Sequence, residues 1–152
     1  MTSVYDILEV IRGALLESPA INTVSFGDLD KIDLNKTTIF PLGHIMIDNG
    51  VVSSNVITFN VKVLVADVVD YNKKDDSSDA FYGNTNEQDV LNTQFGVLNK
   101  LITDMIRGDL FSNLYKVEAT TTLEPFMDRF DNVLAGWSTT IAIQVPNRIS
   151  VC

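Results

Sequence analysis

Few residues of this chain have side chains suited to chemistry. There is one histidine, His44, and one cysteine, Cys152, the last residue given. His44 stands in an extended stretch with no cysteine, serine or carboxylate motif around it, so it reads as a surface or partly packed strand histidine. A nucleophilic triad needs a base held by a third group, and no spacing marks one. A single thiol closes no intramolecular disulfide and builds no zinc cluster. Neither Gly-rich phosphate loop occurs.

Carboxylates are more plentiful but poorly patterned. Asp28, Asp30 and Asp33 resemble a calcium loop only in their first two positions. Counting from Asp28, the fifth, sixth and twelfth positions are Ile32, Asp33 and Ile39, where that loop needs a polar ligand, glycine and glutamate. A solvated acidic loop is the simpler reading. Asp75, Asp76 and Asp79 can at most chelate a divalent ion weakly, and they also suffice to keep a loop soluble. Glu118, Glu124, Asp128 and Asp131 would serve acid–base chemistry only if two shared a cleft that split their pKa values, and no spacing brings two together. Arg129, between Asp128 and Asp131, can neutralise either. The expectation is a protein that is not an enzyme, with no catalytic residues, no cofactor and no metal.

Composition narrows the partners. The net charge is −9 over 152 residues, with 45% hydrophobic and 20% charged residues. That is a globular balance, in the size range of one domain. An acidic chain repels phosphates and anionic membranes at long range, which argues against specific DNA or RNA binding. No window approaches the ~18 uninterrupted apolar residues of a membrane span. Asp6, Glu9 and Arg12 interrupt the N-terminal apolar residues at helical spacing, unlike a signal peptide.

The elements that must position these residues follow from periodicity. Residues 4–16 read as a first helix, with Val4, Ile7, Leu8, Ile11 and Leu15 on one face. Residues 23–26 form a short strand. Residues 36–47 read as extended, with Pro41 and Gly43 pointing to a bulge or an edge strand. Asn49-Gly50 is a strong turn signal, so residues 36–69 are expected to form a long hairpin with its tip there. Within it residues 56–69 are the clearest strand, with a period of two that puts Ile57, Phe59, Val61, Val63 and Val65 on one strongly apolar face. Residues 70–86 are acidic and polar, a long loop with the adjacent aromatics Phe81 and Tyr82 inside it. Residues 87–107 read as a second helix, with an apolar stripe from Val90 to Ile106. Residues 115–123 alternate as a strand that Pro125 interrupts, and a final strand follows from Trp137 to Val145. This order predicts one α+β domain, an antiparallel sheet with a long β-hairpin covered by two helices.

The unusual segment is 124–137, which puts Phe126, Met127, Arg129, Phe130 and the sole tryptophan, Trp137, within fourteen residues. Aromatics, methionine and arginine are enriched at protein interfaces. A small core closing the sheet edge would use the same residues. Phe126, Met127, Arg129, Phe130, Trp137, Asn49, Gly50, Phe81 and Tyr82 are therefore the candidate subunit-contact residues.

Residues 125–137, running into the last strand and Val145-Pro146-Asn147, resemble small neck or tail-completion proteins of tailed bacteriophages, those of crAss-like phages in particular. The element order is similar to the tail-terminator fold over about residues 4–147, and the acidic loop 70–86 has no counterpart. The resemblance implies a virion protein, made in the bacterial host cytoplasm, that forms a homo-oligomeric ring of six or twelve copies between head and tail. Its partners would be itself and adjacent portal, connector or tail proteins, with DNA passing through unbound and no membrane involved. Another virion role (tail tube, baseplate or capsid accessory) and a small ligand-binding domain remain the alternatives.

Overall fold

The structure, a computed structural model, describes residues 4–28, 39–69, 87–107, 116–118, 121–127 and 134–147. Helix α1 (Val4–Glu17) forms because apolar residues recur every three to four positions, and it buries Ile7, Ile11 and Leu15. Helix α2 (Glu87–Arg107) carries Glu87 and Asp89 in its first turn and Arg107 in its last, matching the helix dipole at both ends. It buries Val90, Val97, Leu98, Leu101, Ile102 and Met105, and also Gln94.

The strands are β1 (Thr23–Phe26), β2 (Leu42–Val52), β3 (Val56–Val68), β4 (Lys116–Val117), β5 (Leu123–Met127) and β6 (Leu134–Pro146). They form one sheet in the order β1-β2-β3-β6, with β4 and β5 both pairing the outer edge of β6. The fold is α+β, as expected, but the sheet is mixed, because β1 runs parallel to β2. All other pairings are antiparallel.

Both helices pack on one face. Ile45 of β2, Val61, Val63 and Val65 of β3 and Ile141, Ile143 and Val145 of β6 meet them in the main core. Gly43 lets α1 approach closely: a Cβ there would lie 3.2 Å from Leu15 Cδ1. The opposite face has its own smaller core of Phe40, Leu42, Leu64, Ala66, Phe126 and Leu134. This is why β3 departs from simple alternation and is buried on both faces from Val63 to Ala66.

Three expectations need correcting. Asn49-Gly50 is not the hairpin tip. Asn49 pairs with Asn60 and Gly50 with Phe59 inside the ladder, after a register shift that leaves Asp48 as the extra residue. The bulge takes up the extra residue, and pairing continues to Val52↔Ile57. The turn is Ser53-Ser54-Asn55, clasped by Ser53 Oγ, which donates to Val56 O at 2.8 Å and accepts from Val56 N at 3.1 Å. Second, Gly43 is a regular ladder position, and the bulge falls at Asp48 instead. Third, residues 115–123 are not one strand, and Pro125 does not interrupt: it lies within β5, opposite Trp137. An outer strand paired on one side tolerates a residue with no N–H to offer.

Candidate functional site

The parallel register of β1 and β2 sets Ser25 beside His44 on the face away from the helices. Ser25 Oγ lies 2.7 Å from His44 Nδ1, and His44 Nε2 lies 2.6 Å from the Gly27 carbonyl oxygen. A carbonyl only accepts, so Nε2 carries the proton and Nδ1 accepts from the Ser25 hydroxyl. Gly27, at φ 102°, turns the chain so that its carbonyl meets the ring while its N–H donates to Ile45 O at 3.1 Å. The ring is wholly buried, not at the surface or partly packed as its sequence setting implied. Burial holds its pKa below the usual histidine value, partly offset by the Gly27 hydrogen bond and the nearby Asp28 charge. A serine beside a histidine invites comparison with a nucleophile–base pair. Here the second nitrogen is held by a backbone carbonyl and the ring has no exposed edge for a substrate. The arrangement is a clasp joining the edge strand to the sheet.

Asp67, unremarked in sequence, is the other group among the described residues whose pKa its surroundings move. Burial raises its pKa, against the pull of the Val68 N–H donated to Oδ1 at 2.8 Å. Among the described residues no three His, Cys, Asp or Glu side chains come together to hold a metal. Glu118 and Glu124 are exposed. Asp30, Asp33, Asp75, Asp76, Asp79, Asp128 and Asp131 lie outside the described residues.

The candidate contact residues divide. Phe126 and Met127 on β5 and Trp137 on β6 belong to a hairpin, with Phe126 opposite Gly136 and Met127 opposite Ala135. Phe126 is buried in the smaller core. Met127 packs beside Val69, Val90 and Ala135. Trp137 Nε1 donates to Leu91 O at 2.8 Å, and its ring meets Phe95 edge-on at 5.1 Å. These three thus fasten the outer hairpin to α2 and to the second core. Asn49 and Gly50 are exposed, with Asn60 Nδ2 donating to Asn49 Oδ1 at 2.6 Å. Arg129, Phe130, Phe81, Tyr82 and the acidic loop 70–86 lie outside the described residues.

The exposed apolar side chains that sequence reasoning missed form two main patches. One is the end of the β2–β3 hairpin, where Val51 is 57%, Val52 72% and Val56 37% exposed. The other is a groove of about 300 Å³ between α1 and β1, lined by Tyr5, Leu8, Val24, Phe26 and Ile45, with Glu9 and Arg12 on α1. A second concavity, of about 560 Å³, runs between α2 and the start of β5, lined by Phe95, Ile102, Ile106, Arg107 and Leu123. Neither His44 nor Asp67 lines these grooves. No helix among the described residues is long and apolar enough to cross a membrane. The chain matches no protein-family model and no curated protein.

Proposed function

We propose that this chain is a structural subunit that assembles head to tail into a closed ring in the neck or tail of a tailed phage, joining head to tail around the DNA channel. The observation that carries the assembly is the pair of unlike apolar patches, one at the hairpin end and one on the α1–β1 edge. Exposed apolar patches on an otherwise polar surface are association sites. Contact between two unlike patches is heterologous, and a heterologous contact builds a ring when its rotation closes. The virion location is supported by the resemblance of residues 125–137 and 145–147 to phage neck and tail-completion proteins. A net charge of −9 per copy fits a channel wall past which DNA slides without sticking.

Size-exclusion chromatography with light scattering, run at rising concentration, tests the assembly. A closed multiple of the 16.8 kDa chain, seen as a ring by electron microscopy, is expected. A single-chain mass at every concentration, with no ring in the particle, refutes the proposal.

A further inference from the structure

We infer, building on the ring reading, that the β2–β3 hairpin end of one copy seats in the α1–β1 groove of the next. Electrostatics favours these two surfaces. The chain holds 20 acidic and 11 basic residues, yet none falls between Asn49 and Val61. The groove carries Glu9 and Arg12, whose side chains pair at 3.4 Å and cancel. Two copies of a −9 chain repel wherever their acidic surfaces meet, so neutral patches are where one copy approaches another at least cost.

Shape agrees with charge. Val52 shares the helix-facing side with Ile57, its ladder partner, whereas Val51 and Val56 point to the other side. The hairpin end is therefore a wedge, apolar on both faces. The groove has two apolar walls, Tyr5 and Leu8 on α1 and Val24 and Phe26 on β1, with Ile45 between them. Its 300 Å³ holds about ten water volumes at ~30 Å³ each, close to the nine side-chain carbons of the three valines.

Geometry then excludes self-insertion. The groove lies beside Ile45, and the wedge begins six residues further along the same strand, about 20 Å away at ~3.3 Å per residue. A chain cannot bury its own wedge in its own groove. A second copy can, and it leaves one wedge and one groove free at the ends of any open array.

The test uses Val52→Asp and Phe26→Asp, two changes at exposed positions, with circular dichroism to confirm folding. A buried, unpaired carboxylate at either position is expected to weaken association by about 100-fold or more, leaving each variant a single chain. Mixing the two variants is the decisive arm. The Val52→Asp chain keeps its groove and the Phe26→Asp chain keeps its wedge, so the mixture is expected to form two-chain species and no ring. Rings that persist in both variants, or a mixture that stays single-chain, overturn this seating while leaving the ring reading intact. A wild-type protein that never assembles overturns the ring reading itself. Val51→Asp and Tyr5→Asp repeat the test if either first variant unfolds.

Discussion

Gly136 on β6 leaves no room for a Cβ against the backbone of β3, and Gly136→Ala makes that closeness measurable. An alanine Cβ would fall deep inside the van der Waals envelope of the Val65 carbonyl oxygen and 2.9 Å from Ala66 Cα. Both are backbone atoms of β3, so no side chain can swing aside. Restoring ordinary van der Waals contact at the carbonyl oxygen, the tighter of the two clashes, requires the strands to part by more than about 1 Å at this rung. Two flanking ladder hydrogen bonds would loosen, at ~1 kcal/mol each. Overpacking adds ~1–3 kcal/mol, since Leu64, Ala66 and Phe126 surround the same rung on the second face. The expected loss is about 3–5 kcal/mol, or a Tm lower by about 6–20 °C for a chain of this size. Urea titration followed by the fluorescence of Trp137, the neighbouring residue and sole tryptophan, reads the change locally. Gly96→Ala is the control: a Cβ there meets nothing within 4 Å, so alanine is expected to stabilise α2 by up to ~1 kcal/mol. A Gly136→Ala midpoint within ~0.5 kcal/mol of wild type would refute the close-approach argument.

Other outcomes follow from the same contacts. His44→Leu leaves the Ser25 hydroxyl and the Gly27 carbonyl without their partner and is expected to cost about 2 kcal/mol or more in denaturant titrations. Because the folded-state pKa of His44 lies below its ordinary 6.5, the unfolded chain takes up the proton first. Stability is then expected to fall as pH drops below 6.5 towards the folded value, a slope that His44→Leu should flatten. Asp67 has the opposite sign. Its folded pKa lies above the ordinary 3.8, so its contribution is lost as pH rises through that window, and Asp67→Asn is expected to be at least as stable as wild type at pH 7. Trp137→Phe removes the Nε1 hydrogen bond to Leu91 O but keeps the packing against Phe95, for a loss of ~1 kcal/mol in thermal melts.

What was legible in the sequence was periodic. Helix α2 runs from Glu87 to Arg107, as its apolar stripe and terminal charges imply. Strand β3 forms where the two-residue period placed it, although both faces are buried from Val63 to Ala66. What was not legible depended on pairing at a distance. Asn49-Gly50 has the chemistry of a turn, but Asn60 and Phe59 across the ladder, together with the Asp48 bulge, hold it extended. The parallel pairing of β1 leaves no periodic trace in four residues, so His44 gave no sign of the clasp that Ser25 and Gly27 form around it. The aromatic segment ending at Trp137 was conspicuous in composition, yet only the β5–β6 register shows Phe126 and Trp137 pointing to opposite faces.

The position of β6 sets the timing of folding. It is the last strand among the described residues and lies next to β3, pairing with that strand along its whole length. Until Leu134–Pro146 has been synthesised, the edge of β3 that pairs with β6 stays open, while α2, β4 and β5 are being made. Contacts this distant in sequence close slowly, and open apolar edges recruit other chains meanwhile. A nascent chain stalled before Leu134 should therefore aggregate, and completion of the sheet must follow synthesis of β6.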